Sequence, residues 1–309
     1  MTPEILAVIK EKEEHALDEI AASVSSGKCN LFLGAGVHAS PPENSPYKYE
    51  ESKRPPIGSA LSRALAAKSQ FSKRFPDEDI RNLQRVAQDF EVQFKRPKLI
   101  EEIKKAVDVG KEPSEALCAL AKMNFPVIVT TNYDHLLEKA FQRADKEPSM
   151  VSIYKKNEDR KNKEETDDLW QDDPTPDKPF LFKVHGDINR PESIVITDED
   201  YIHFILRMTE TGGYNPVPET VRVRMKKWPT LFIGYSLRDY NLRVLFKTLR
   251  WGIDKANYPN TYSVDLYPDR LIYEMWSQAQ SFVWFLAQDV WTFVPELYRR
   301  VRGEEMVQE

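Results

Sequence analysis

The stretch Asn30-Leu31-Phe32-Leu33-Gly34-Ala35-Gly36-Val37-His38-Ala39 decides how this chain is read. Its short apolar run ends in a Gly-Ala-Gly turn, which predicts a buried strand entering a tight bend. Gly34, Gly36 and Ala39 fit the dinucleotide pattern G-x-G-x-x-A. Glycines let a backbone pass close to a pyrophosphate, and a helix N-terminus after the turn supplies N–H donors and partial positive charge. Gly34, Ala35, Gly36, Val37 and His38 are therefore the expected phosphate-side residues. A hydride-transfer enzyme would continue with a short helix, a second strand and an acid about 20 residues on. Here a Pro-rich stretch over 41–57, holding Tyr47 and Tyr49, takes their place, and the dehydrogenase reading loses ground.

Outward from this turn, helical spacing covers residues 3–26 on one side, through Ile5, Val8, Ile9, Leu17 and Ile20. On the other side the helical pattern runs from Gly58 to about Gly110, and a further helix spans Ser114 to Lys122. Apolar strands are expected at Val127–Thr130, Phe180–Val184, Ser193–Ile196, Thr230–Ile233, Thr261–Asp265 and Phe282–Leu286. Helices follow from Leu136, from Asp198, over 239–249 and at about 288–303, while 155–179 and 209–219 read as loops. Strands alternating with helices predict one Rossmann-like α/β domain over 1–309. It should hold a mostly parallel sheet with helices on both faces and a helical module inserted at about 58–122.

Composition excludes several function classes. The formal net charge of -5, from 44 Lys and Arg against 49 Asp and Glu, leaves no basic face for direct nucleic-acid binding. No apolar run reaches the roughly 18 residues that span a bilayer, and no signal-peptide pattern opens the chain, so a cytoplasmic protein is expected. Cys29 and Cys118, each in an apolar stretch, read as buried thiols and are too few for a four-thiolate zinc site. The aromatics Tyr273, Trp276, Trp284, Phe285, Trp291 and Phe293 read first as core, with a contact surface as the alternative.

The unusual polar residues fall at strand ends. Four apolar strands finish in Gly34-Ala35-Gly36, Thr131-Asn132-Tyr133-Asp134, His185-Gly186-Asp187 and Gly234-Tyr235-Ser236. In open parallel sheets ligands bind beyond the carboxyl ends of the strands, so the four clusters should converge on one pocket. Asn132 fits a water- or hydroxyl-orienting role. Asp134 serves either as a ligand for an amide or as the cap of the helix after it, and both readings stay open. His185, next to a glycine at a strand end, is the candidate base. His38 lines the pocket, His135 is structural, and His15 and His203 lie on surface or packing positions.

In order and spacing, these four clusters resemble the sirtuin-like superfamily, and most of all its bacterial phage-defence branch. Phe125-Pro126-Val127-Ile128-Val129-Thr130-Thr131-Asn132-Tyr133-Asp134-His135-Leu136-Leu137-Glu138 and Gly234-Tyr235-Ser236-Leu237-Arg238-Asp239 carry the resemblance, which covers roughly 25–290. It implies an enzyme that consumes NAD, cleaving it to nicotinamide and ADP-ribose as the toxic effector of an abortive-infection system. The glycine turn would hold the pyrophosphate, with Asn132 and Asp134 on the nicotinamide-ribose side and Thr131 also binding the cofactor. His185 would be the catalytic base, and Gly234, Tyr235 and Ser236 would line the adenosine side.

Two departures matter. Protein-deacylating sirtuins carry a four-cysteine zinc ribbon that this sequence cannot supply, so no metal is expected. The family often places Ser where His38 stands. The resemblance further implies a homo-oligomer restrained by a partner, either a HerA-type hexameric ATPase or translocase or an Argonaute-type protein. An NAD-dependent protein deacylase or ADP-ribosyltransferase, and a non-catalytic module that binds NAD or ADP-ribose, are the alternatives.

Overall fold

The computed structural model describes residues 3–154, 173–208, 217–235, 244, 246, 258–278 and 283–307. Seven strands form one sheet: β1 (Asn30–Leu33), β2 (Val127–Thr130), β3 (Met150–Ile153), β4 (Phe180–Lys183), β5 (Thr230–Ile233), β6 (Thr261–Val264) and β7 (Val283–Leu286). Their order is β3-β4-β2-β1-β5-β6-β7, and every pairing is parallel. The expected mostly parallel sheet is thus parallel throughout. Chain order reverses between β1 and β5, which makes their carboxyl ends the switch point where an open α/β sheet takes its ligand.

Parallel strands buried on both faces need apolar residues at every position, divided between two layers by the period of two. Leu31, Leu33, Ile128, Leu181, Leu231 and Ile233 point to one layer. That layer is closed by α1 (Pro3–Ser25), α6 (Glu115–Lys122), α7 (Leu136–Arg143) and the helix Val290–Arg302. Phe32, Val127, Val129, Phe180, Phe182 and Phe232 point to the other, against α8 (Asp198–Met208), α9 (Glu219–Lys227) and the helix Arg270–Gln278. Phe32 stacks on Phe232 at 4.9 Å across the switch point.

A third core joins α2 (Gly58–Ser69), α3 (Phe71–Arg74), α4 (Leu83–Phe94) and α5 (Arg96–Val107). Tyr133, Ile188, Ile194 and Ile196 from the strand ends enter this helical core and fasten it over the sheet's carboxyl edge. Arg96 adds a polar tie, donating to Asp200 at 2.7 Å and to the Ile194 carbonyl at 2.6 Å. α6 packs with the sheet layer rather than with this module.

Several expectations change. Ser193–Ile196 is no strand: a 3-10 turn spans Pro191–Ser193, and the apolar run after it is buried as connecting chain. Both neighbouring places beside β4 are already filled by β2 and β3. Trp276, Phe285, Trp291 and Phe293 are buried, so for these the core reading holds and the contact-surface alternative falls. Cys29 and Cys118 are buried and unbridged, and burial pushes the Cys29 thiol up to about 12. Ser236 and most of the helix expected over 239–249 lie outside the described residues, as does 155–172 of the first loop. Among the described residues no helix is long and apolar enough to cross a membrane.

A buried ion network underpins the β2 and β4 ends. Lys183, with no solvent exposure, donates to the Asp134 carbonyl at 2.6 Å, to Asp187 at 2.7 Å and to Glu138 at 3.0 Å. Burial alone would lower its pKa, but the Glu138 and Asp187 carboxylates outweigh that and hold it above the usual lysine range. His135 bridges Asp108 at 3.0 Å and Asp187 at 3.1 Å. Hydrogen bonds to these two acids raise its pKa from 6.5 to about 9 against the effect of burial.

Three outcomes follow. An added Cβ at Gly234, whose φ is +77°, would meet the Val37 backbone nitrogen and stand 2.6 Å from the Gly34 carbonyl oxygen. Gly234→Ala should therefore destabilise the protein by at least about 1–3 kcal/mol in denaturant unfolding. Gly58→Ala, with open space around it, should stabilise by about 0.4–1 kcal/mol. Because the folded pKa of His135 lies above the unfolded value, its contribution is complete below about 6.5 and fades as pH rises through about 9. Unfolding midpoints should fall across that window in the wild type and less steeply in His135→Gln; parallel curves would refute the assignment.

Candidate active site

Register brings the predicted clusters together. Leu33 pairs with both Thr130 and Ile233, and Thr130 pairs with Lys183. The residues that follow, Gly34, Thr131, Val184 and Gly234, therefore leave the sheet side by side. The Leu33 carbonyl collects three donors there: Thr131 N–H at 3.2 Å, Thr130 Oγ1 at 3.0 Å and the Tyr235 hydroxyl at 2.9 Å. The same hydroxyl lies 2.8 Å from Thr131 Oγ1. Tyr235 thus ties the ends of β1, β2 and β5 into one rim.

The glycines of the first motif also serve to bring backbones together. Gly36 N–H donates to the Gly234 carbonyl at 2.9 Å, and a Cβ on Gly36 would stand 2.8 Å from Gly234 Cα. After the turn comes a single 3-10 turn over Ala35–His38, in place of the longer helix that the dinucleotide pattern implies. Pro41 and Pro42 account for this, since neither has the N–H that would continue a helix through Val37 and His38. Gly34 is buried, whereas Ala35 and Gly36 are half-exposed.

Asn132 and His38 face each other, with Asn132 Nδ2 at 3.3 Å from His38 Nε2. The same Nε2 lies 3.6 Å from Asp134 Oδ2. Asp134 Oδ1 accepts the Leu136 N–H at 2.9 Å at the start of α7, as the helix-start reading expects, while Oδ2 turns to His38. Burial pushes the Asp134 carboxyl up, but the His38 contact and the positive charge of Lys183 prevail and hold it below the usual range. Asp134 is therefore a buried anion at the centre of the strand ends.

His185 sits on the opposite layer, 5% exposed, edge-on to Tyr201 and Phe204 at 5.2 and 5.4 Å. Burial lowers its pKa to about 3, so the ring is neutral at neutral pH. Its Nδ1 lies 3.4 Å from the Tyr201 hydroxyl. Gly186 after it has a φ of +91°, and a Cβ there would stand 2.7 Å from Ser193 Oγ. The glycine thus permits the close turn that sets His185 at the strand end.

Among the described residues His135, Glu138 and Asp187 bring potential ligand atoms within 4.8 Å of one another. The Lys183 ammonium already neutralises two of them, and the group reads as an ion network. Sequence reasoning did not find this network, because a lysine closing Phe180-Leu181-Phe182-Lys183 looks like an ordinary solvent-facing strand end. A cleft of about 370 Å³ on the outer face, lined by Tyr49, Ser114, Cys118 and Tyr298 among others, contains none of the strand-end residues.

With this geometry in place, comparison with known proteins is informative. Residues 126–283 match the SIR2-like domain family, which is more than half of the chain. An NAD(+) hydrolase ThsA of Enterococcus faecium is 32% identical over 149 residues, covering 48% of this chain and 27% of the relative. An NAD(+) hydrolase ThsA of Bacillus cereus (strain MSX-D12) is 24% identical over 257 residues, 82% of this chain and 45% of the relative. Defense-associated sirtuin 2 of Bacillus subtilis is 28% identical over 131 residues, 41% of this chain and 11% of the relative. The chain spans less than half the length of each of these relatives. The matched span runs from β2 through the Asn132 and His185 turns and the Gly234 rim to β7, and the chain belongs to the SIR2-like domain family.

Proposed function

We propose that this protein hydrolyses NAD to nicotinamide and ADP-ribose in the cytoplasm as the effector of an anti-phage system. The observation that supports the reading is that Asn132, Asp134 and His185 follow the paired strands β2 and β4, next to a switch point edged by Gly34, Gly36 and Gly234. The relatives named as NAD(+) hydrolases support it.

The chemistry suits these groups. When the C1′–N1 bond breaks, its electron pair goes to the pyridinium nitrogen, so nicotinamide leaves neutral and needs no general acid. A ribosyl cation remains. Asp134, a fixed buried anion, stabilises that charge, and fixed charges act strongly in a dry site. Asn132 orients the attacking water. Water bonded to C1′ becomes an oxonium far more acidic than an imidazolium, so even a weakly basic His185 can take its proton. A His185 Nδ1–H donated to the Tyr201 hydroxyl leaves Nε2 free for that role. The products are nicotinamide, ADP-ribose and one proton.

The phosphate-side residues are Gly34, Ala35, Gly36, Val37 and His38, with Thr131, Gly234 and Tyr235 along the rim, and Ser236 is assigned to NAD binding from the sequence. An unrestrained NAD hydrolase would exhaust its host. We therefore assign restraint to a homo-oligomer with a separate partner, a HerA-type hexameric ATPase or an Argonaute-type protein.

Purified protein, alone and with its partner, should release nicotinamide from NAD. His185→Ala and Asn132→Ala should each slow release by about 100-fold or more. NAD binding without turnover in every assembly state would instead select a binding module. Light scattering should report an assembly larger than one chain; a monomer at all concentrations would overturn the oligomer.

A further inference from the structure

His38 stands on the phosphate side of the proposed site, but the proposed reaction gives its ring no part in the chemical step. Its surroundings are specific. The ring is 2% exposed, Nε2 faces both Asp134 Oδ2 at 3.6 Å and the Asn132 amide at 3.3 Å, and Nδ1 is buried without a partner. Asp134 Oδ1 is already engaged by Leu136 N–H, which leaves Oδ2 directed at the ring.

We propose that His38 is the positioning residue for Asn132: Asp134 fixes its ring in the Nε2–H tautomer, and that hydrogen holds the Asn132 carbonyl oxygen. The case is one of donors and acceptors. An ionised carboxylate only accepts, so the nitrogen facing it must carry hydrogen; the opposite tautomer would set a lone pair against the buried anion. Once Nε2 is the donor, the amide group beside it must present an acceptor. A half-turn of the Asn132 amide, which keeps its shape, turns Oδ1 toward His38 and NH2 away from it. Asn132 then offers two fixed N–H donors to the pocket, where the water or ribose hydroxyl oxygen would lie.

The catalytic consequence rests on the NAD-cleaving reading; the tautomer does not. Two measurements separate them. In protein with ¹⁵N-labelled histidine rings, His38 should show the Nε2–H pattern, and an Nδ1–H ring would overturn the proposal whatever the activity. For turnover, His38→Gln keeps a donor near the Nε2 position, while His38→Phe keeps bulk without one. His38→Gln should retain kcat within a few-fold. His38→Phe should lose about 100-fold in kcat. Equal kcat in the two variants, with the wild type active, would overturn the positioning role and leave the NAD hydrolase reading intact. No nicotinamide from the wild type in any assembly state would overturn that reading instead, and the ring tautomer then decides the proposal alone.

Discussion

Everything at the carboxyl edge depends on two glycine turns pressed together across the switch point. Gly34 and Gly36 after β1 meet Gly234 after β5 with backbone against backbone, and a Cβ on any of the three would strike the other turn. The contact is a constraint as well as an attraction. It brings the Tyr235 hydroxyl to the Leu33 carbonyl and to Thr131, so three strand ends share one hydrogen-bonded rim. It also fixes where the chain emerges as the 3-10 turn that carries His38 toward Asp134 and Asn132. The glycines of a dinucleotide motif are usually explained by the ligand's need for space. Here the protein's own second turn makes the same demand before any ligand arrives.

The loop after that turn is held by aromatic packing. Trp291 donates its indole N–H to the Ala39 carbonyl at 3.0 Å, with Tyr47 and Tyr49 against its ring at 6.0 and 6.1 Å. Tyr49 in turn donates to the Glu112 carbonyl at 2.8 Å. A stretch that reads as a Pro-rich loop is therefore fixed at both its start and its middle. Order at His38 is inherited from the helix Val290–Arg302, far along the chain. On the other side, Tyr133 enters the helical module and donates to the Val195 carbonyl at 2.8 Å, linking the Asn132 turn to the chain beyond His185. Rigid elements thus hold the strand-end side chains from two directions, as precise polar chemistry requires.

Strand positions and strand-end clusters were legible because their physics is local. An apolar run buried on both faces, followed by glycine or Asn-x-Asp, carries its own signature in β1, β2, β4 and β5. β3 was not legible: Met150-Val151-Ser152-Ile153 is a four-residue edge strand with Val151 38% exposed, so its apolar signal is half lost. α9 escaped for a related reason. Only Val221 and Met225 of Glu219–Lys227 are buried, one turn apart, among basic and β-branched residues. The Lys183 network and the His38 contact were hidden more deeply, since Glu138 lies 45 positions from Lys183 and Asn132 lies 94 from His38, and only the fold brings them together. Sequence spacing placed Asn132, Asp134 and His185 at one edge; it could not show that Asp134 both caps α7 and faces a histidine.

The electrostatic split between Asp134 and His185 is the sharpest chemical statement the site makes. Both are buried, and burial alone disfavours charge on either. Asp134 nonetheless stays anionic, because His38 and Lys183 stand beside it. Among the described residues the His185 ring meets the Tyr201 and Phe204 rings and the Tyr201 hydroxyl, and burial keeps it neutral. Two titratable groups pushed to opposite states at one strand edge mark a division of labour. A neutral ring with little affinity for a proton would be a poor partner for a reaction that must first deprotonate a strong-bonded substrate. With a permanent anion after the neighbouring strand β2, it suits a reaction in which a cation forms first and the proton is shed last. Loss of neutral nicotinamide from a ribosyl carbon has that order. The charge pattern of these two groups is thus the one that the proposed substrate would require.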